Sequence, residues 1–293
     1  MRGRAQASLV ALLGNLVPLV SPATVGLVTL RLPLAEALLV LLWAAFPLGM
    51  MLYLSDVNSL LAATSLVGLV AMVPAATVLR HTMSWPLALV VALAVTAATT
   101  ALAAGLAGGQ LAAMLDELQP VLMALRGGES PGPQPVFHLL MAATAVGLGL
   151  ERASVVFVLG FLSWLTAMQV VSSLLLARWW QALLYNPGGF RAEFQGLRFD
   201  RTLATGLVLG IMACNLGPAD YSTWVSLLGL PLLLAGLGLI HHLVQFWHLG
   251  VQWLVLVYIG LLVFGPLSMV LIGIGFLDSF FDFRTRIPAR KGQ

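Results

Sequence analysis

The chain has 293 residues, 60% of them hydrophobic and 9% charged, with a formal net charge of +3 and a mean hydropathy of +1.00. A soluble domain carries roughly 25% charged residues, so this chain has too few to cover a water-facing surface, and an ordinary soluble globule is excluded. The basic residues, all arginine except Lys291, sit between apolar tracts and at the ends, a placement that orients a membrane protein and forms no nucleic-acid face.

The first tract opens with Arg2 and Arg4 before an apolar run from Leu9 to Val20. The following Ser21-Pro22-Ala23 lacks a clear cleavage pattern, so the tract is expected to be an uncleaved first span and not a signal peptide. A helix needs about 20 apolar residues to cross a hydrocarbon core of ~30 Å. Tracts of that kind lie at 8–30, 34–54, 58–79, 86–108, 153–177, 222–246 and 251–276. They must be helices, because an open sheet would leave backbone groups unpaired in lipid. Two tracts are shorter, 136–150 and 203–218, and at 1.5 Å per residue each covers only about 22–24 Å. The expected fold is therefore all-α: a polytopic transmembrane helix bundle of about eight spans, one domain over 1–293, with extramembrane loops at about 109–135 and 178–201.

The first of those loops carries Asp116, Glu117, Arg126, Glu129 and a Gly- and Pro-rich run. The second pairs a turn at Asn186-Pro187-Gly188-Gly189 with Arg178, Arg191, Arg198 and Arg201 and with Trp179, Trp180, Tyr185, Phe190, Phe194 and Phe199. Those aromatics suit the headgroup layer. Basic residues at both ends favour two cytoplasmic termini and hence an even number of crossings, so only one of the two short tracts crosses. If 136–150 is that one, only Arg31, Arg80 and Arg152 of the 14 basic residues face outward, which leaves 11 inside; the positive-inside rule prefers this arrangement. The 178–201 loop is then cytoplasmic. It is a candidate membrane-surface or partner-docking element through Arg178, Trp179, Trp180, Arg191 and Arg198.

The run from Leu176 to Phe194, Leu-Ala-Arg-Trp-Trp-Gln-Ala-Leu-Leu-Tyr-Asn-Pro-Gly-Gly-Phe-Arg-Ala-Glu-Phe, resembles the YybS-like family of uncharacterised bacterial multi-pass membrane proteins. So do Ala235-Gly-Leu-Gly-Leu-Ile-His-His242 and Gly275-Phe-Leu-Asp-Ser-Phe-Phe-Asp-Phe-Arg284. With the layout of spans, the resemblance covers most of the chain. That family is distantly similar to the substrate-binding membrane subunits of energy-coupling-factor transporters. The resemblance implies the bacterial inner membrane and a role in small-molecule uptake. It brings no binding residues with it. Those subunits usually have about six spans, fewer than are expected here.

The sequence lacks the phosphate loop of an ATPase, the His-Glu-x-x-His of a zinc protease and the Gly-x-Ser-x-Gly of a serine hydrolase. No enzyme, cofactor or metal is expected. The lone Cys214 excludes an intrachain disulfide. The polar groups left inside spans are the ligand-binding candidates. Asn15 lies beside Pro18, and Asn215 beside Gly217 and Pro218. His241, Gln245, His248 and Gln252 follow helical spacing. Each has a structural alternative: a kinked helix, an ordinary turn and the end of a span, respectively. Glu36, Asp56 and Glu151 mark span ends. Asp278 and Asp282 lie one turn apart on the last helix, a solvated end in which Asp282 is spaced to pair with Arg286. Small residues recur every fourth position at Ala97, Ala101, Gly105 and Gly109, and at Gly206 and Gly210, a pattern for close helix packing. Two functions remain open: a transport-related or substrate-binding membrane subunit, and a non-catalytic scaffold or accessory protein of the cell envelope. The partners expected are the lipid bilayer and a cytosolic or membrane subunit.

Overall fold

A computed structural model describes residues 4–17, 19–54, 59–106 and 154–286, and every regular element among them is helical. In chain order these are α1 (Arg4–Leu13), α2 (Val20–Arg31), α3 (Leu34–Leu54), α4 (Ser59–Thr82), α5 (Trp85–Leu106), α6 (Val155–Tyr185), α7 (Gly189–Gln195), α8 (Arg201–Leu216), α9 (Ser222–Phe246), α10 (Gln252–Val263), α11 (Pro266–Phe281) and α12 (Phe283–Arg286). Among the described residues five helices, not eight, are long and apolar enough to cross a membrane: α3, α4, α5, α6 and α9. The tract at 136–150 and the loop at 109–135 lie outside the described residues.

Two expected spans are helical hairpins instead. Tract 8–30 breaks into α1 and α2, and a Cβ on Gly14 would sit 2.9 Å from the Ser21 nitrogen. Residues seven apart in a continuous helix lie about 10 Å apart, so the chain has turned back on itself. With 12 residues, α2 covers about 18 Å, roughly half a bilayer. Tract 251–276 likewise breaks at Phe264–Gly265, with Pro266 opening the second helix, and a Cβ on Gly260 would lie 2.8 Å from Leu267. Its two arms, of 12 and 16 residues, fold back on each other, so the tract does not cross as one helix.

The short tract 203–218, expected not to cross, forms α8 and runs beside α9 for about 24 Å. Its start follows α7, which packs against Gly238 and His241 in the C-terminal part of α9. Its end leads through Gly217 and Pro218 into Ser222 at the other end of α9. Asp200 fixes where α8 begins by accepting hydrogen bonds from the Thr202 and Leu203 amides at 3.0 and 3.2 Å, a strong N-cap. At the opposite end Thr223 and Trp224 donate to the Phe157 and Val156 carbonyls, so the foot of α9 is tied to the foot of α6.

Helix α6 is central, with α2, α4, α5 and α9 packed around it. The tightest pairing is α9 with α11. A Cβ on Gly236 would overlap the Leu271 carbonyl, and one on Gly275 would overlap the Leu232 carbonyl. Glycine at both positions lets the backbones touch. The small-residue rows expected from the sequence do so only in part: Gly210 of α8 takes the Leu228 side chain of α9, where a Cβ would sit 3.1 Å away, while Gly105 and Gly206 face open space, and Gly109 lies outside the described residues.

This contrast yields a measurable expectation. Gly275→Val should destabilise the protein by about 1–3 kcal/mol through overpacking, seen as a lower midpoint of thermal unfolding in detergent. Gly273→Ala, where a Cβ meets nothing within 4 Å, should leave the midpoint unchanged. Equal effects would contradict the backbone contact.

Candidate functional site

The described arginines gather at one end of the bundle. Arg31, ending α2, places its guanidinium carbon 3.5 Å from the centre of the Tyr185 ring at the end of α6, a cation–π contact. Arg80, near the end of α4, donates to the Thr29 and Leu32 carbonyls and so caps α2. Arg31 and Arg80 therefore share a face with Arg178, Arg191, Arg198 and Arg201. This overturns the expectation that they lie on the opposite side. The α1–α2 hairpin is one reason: because it does not cross, α3, α4 and α5 run opposite to a simple count. The other is that α5 and α6 run antiparallel, with Trp85 at the start of α5 and Arg178 near the end of α6 both on Glu193, where a single crossing between them would have made them parallel.

The stretch 178–201 is mostly helical and not a loop. Helix α6 continues through Arg178, Trp179 and Trp180 to Tyr185. The expected turn at Asn186–Gly189 is present, with the Gly189 amide donating to Asn186 at 3.0 Å and Gly188 at a φ of 87°. The chain then forms α7. Arg178 binds Glu193 of α7 through two parallel hydrogen bonds of 2.9 and 2.6 Å, the bidentate geometry that makes arginine–carboxylate pairs specific. Gln181 accepts a further hydrogen bond from Arg178 at 2.6 Å. The Trp85 indole N–H donates to the same Glu193 at 3.3 Å, and its ring meets Phe190 edge-on. Glu193 thus clamps the starts of α5 and α7 to the last turns of α6. The aromatics divide accordingly: Trp179 is exposed, Trp180 packs toward the core, and Phe199, expected at headgroup depth, is fully buried.

A second clamp was absent from the sequence reading. Asp278, expected at a solvated helix end, is completely buried and pairs with Arg284, which is itself mostly buried. Arg284 also donates to the Gln195 and Leu197 carbonyls at 2.9 and 2.8 Å, and Asp278 accepts from the Phe283 amide at 3.0 Å. The left-handed turn at Asp282, with φ 49°, brings Arg284 back over Asp278. Asp282 pairs with Arg198 and not with Arg286. Two ion pairs therefore fasten the C-terminal hairpin to the α7–α8 connection. Helical spacing alone would not reveal them, because Asp278 and Arg284 meet only across the left-handed turn at Asp282 and Arg198 lies 84 residues from Asp282.

The three ligand-binding candidates are not brought together. Asn15 donates to the Ala44 carbonyl at 2.9 Å, and Asn215, exposed, donates to Ile211 on its own helix at 3.1 Å. His241 directs Nδ1 at the Leu237 carbonyl, 3.1 Å away, so in the neutral ring that nitrogen carries the proton. Phe194 and Tyr258 flank the ring. The stripe through His248 and Gln252 does not form: α9 ends at Phe246, Gln245 is exposed, and His248 adopts a φ of 52°. Among the described residues no three His, Cys, Asp or Glu side chains are placed to hold a metal ion. A shallow groove of about 220 Å³, lined by Thr29, Pro33, Leu34, Thr77, Arg80 and His81, opens at the arginine end. Compared with known protein families, with curated proteins and with solved structures, the chain finds no match.

Breaking one partner of a buried pair leaves an uncompensated charge, at a cost of about 3–5 kcal/mol. Arg284→Met should therefore lower the unfolding midpoint sharply, and adding Asp278→Leu should recover most of the loss; a double variant no better than the single would contradict the pairing. The Arg198–Asp282 pair has a separate signature. The hydrogen bond from Arg198 holds Asp282 below the ordinary carboxylate range. A folded pKa below the unfolded one adds stability above about pH 4, lost as pH falls through the folded value. Both side chains are more than a third exposed or nearly so, at 37% and 35%, which limits the contribution to less than about 1 kcal/mol. In Arg198→Gln the fall in stability on acidification should be correspondingly shallower.

Proposed function

We propose that the chain is a transport-related, substrate-binding membrane subunit of the bacterial inner membrane, with its arginine end in the cytoplasm. In this arrangement α3, α4, α5, α6, α8 and α9 cross the bilayer, and α1–α2 and α10–α11 enter from the arginine end and return. The observation that carries the reading is the pair of helical hairpins that break two expected spans. Non-helical backbone at membrane depth is tolerated where it is buried in protein or lines a cavity, and broken helices of this kind are how many transporters present backbone groups to a solute. Six crossings among the described residues is also the number usual for the energy-coupling-factor subunits to which the YybS-like resemblance leads, so that resemblance belongs to the same proposal. A chain with no phosphate loop needs a separate cytosolic ATPase subunit to drive uptake. The α7 platform, with Arg191 and Arg201 exposed, offers an acidic partner two cations not engaged in the clamps.

A scaffold or accessory role is the second reading. It is favoured by the hydrogen bonds that Asn15, Asn215 and His241 make within the chain, which leave those side chains without need of a ligand.

Two measurements test the proposal. With Cys214 replaced by alanine, a Pro187→Cys variant should resist an impermeant thiol reagent added to intact cells and react after permeabilisation; labelling from outside would reverse the orientation. Native mass spectrometry of the protein purified from its membrane should show a stoichiometric cytosolic subunit or a retained small molecule. Arg191→Glu with Arg201→Glu should strip the subunit. The absence of both subunit and small molecule from the wild-type protein would leave the scaffold reading.

A further inference from the structure

Hydroxyl side chains in an apolar helix normally donate to the carbonyl one turn back, which satisfies them without a partner on another helix. Thr24, Thr29, Thr77, Thr82, Thr99, Thr205 and Ser279 all do so here. Thr96, Thr100, Ser163 and Thr166 do not: each is buried, and none has a hydrogen-bond partner within the protein. An unpaired hydroxyl away from water costs free energy, so a native structure that keeps several has something that pairs them.

The four are neighbours in depth. Trp85 of α5 and Arg178 of α6 both bind Glu193, which sets those two residues at one level. Helices α5 and α6 pack against each other and run in opposite directions. Thr100 is 15 residues from Trp85, and Ser163 is 15 residues from Arg178, so both lie about 22 Å below the clamp. Thr96 and Thr166, 11 and 12 residues along, lie about 16–18 Å below it. Helix α4 closes the third side, where a Cβ on Gly68 would stand 3.5 Å from the Thr166 methyl and 3.1 Å from the Gln169 side-chain oxygen. The four hydroxyls thus lie at two levels in mid-bundle, and Ala92, Leu93, Ala167 and Val170, next along the same two helices, are buried core.

We propose that this junction of α4, α5 and α6 is a binding site for ordered water, held by Thr96, Thr100, Ser163 and Thr166 in the middle of the membrane. The ligand is neutral because none of the four side chains is ionisable, and a buried ion would lack a counter-charge. It is water-sized because the residues next along pack as core, and a buried water needs two to four polar partners in a small polar space, which these hydroxyls supply. The site does not depend on whether the chain transports anything.

Water-edited solid-state NMR on the full-length protein in lipid bilayers tests it. Magnetisation should pass from water to the methyls of Thr96, Thr100 and Thr166 faster than to that of Thr24, which is equally buried but bonded to Val20 on its own helix. Transfer no faster than at Thr24 would mean that the hydroxyls bond directly across the helices in a dry seam, and would overturn the proposal. In the near-isosteric Thr96→Val, Thr100→Val double variant, the transfer to Thr166 should be lost; its persistence would also overturn the site. Should the variant not fold, the wild-type comparison with Thr24 decides alone.

Discussion

A peptide group without a hydrogen-bond partner in hydrocarbon costs several kcal/mol, and both hairpins are organised around that cost. At the turn between α1 and α2, Val17 and Val20 donate to Gly14 and Val17 in successive tight turns. Two side-chain bonds tie the turn to neighbouring helices: Ser173 of α6 donates to the Leu19 carbonyl, which also accepts from the Ala23 amide, and Asn15 of the turn donates to the Ala44 carbonyl of α3. At the other hairpin Phe264 and Leu267 close the backbone turn, and the Ser268 hydroxyl adds a bond to the Gly265 carbonyl at 2.7 Å. A polar side chain inside an apolar tract is therefore a sign of a chain reversal here before it is a sign of a ligand. Asn15 is the clearest case.

The arginine end follows from those reversals. Helices α2, α4, α6 and α11 all run toward it, and their last turns carry or meet arginines that are already engaged: Arg31 on Tyr185, Arg80 on carbonyls, Arg178 on Glu193 and Arg284 on Asp278. Two effects reinforce each other, since cations at helix C-termini complement the helix dipole and basic residues favour the cytoplasmic side. The short helix α7 lies between the clamps, joined to the N-terminal helices through Glu193 and to the C-terminal hairpin through Gln195. Removing either carboxylate, Glu193 or Asp278, would free one side of α7 while leaving the other attached.

The helical class, the apolar tracts and the turn at Asn186–Gly189 were legible in the sequence, because lipid imposes length and composition on each tract independently. The hairpins were not, although their signals were present. Gly14, Asn15 and the proline at 22 lie within one tract, and Gly265-Pro266 within the other, but composition cannot tell a kink from a reversal. Mistaking one reversal moved Arg31 and Arg80 to the wrong face. The Asp278–Arg284 pair escaped for a different reason: an acid near the end of an apolar helix looks solvated until the chain turns back and places an arginine on it. His248 looked like a continuation of the His241 face only because helical spacing was extended past the point where α9 stops.

On the six-crossing arrangement, the hairpin at the start also bears on how the chain enters the bilayer. The crossings fall into pairs, α3 with α4, α5 with α6, and α8 with α9, each leaving the arginine side and coming back to it. Insertion can proceed two helices at a time, with the returns of the first two pairs ending at arginines, Arg80 and Arg178, that stay where synthesis occurs. The link translocated with the last pair, residues 217–221, carries a single charge, Asp220. A basic residue introduced there would ask the translocation machinery to move against the bias that sets the other pairs, so five residues between α8 and α9 bear on which way that last pair faces.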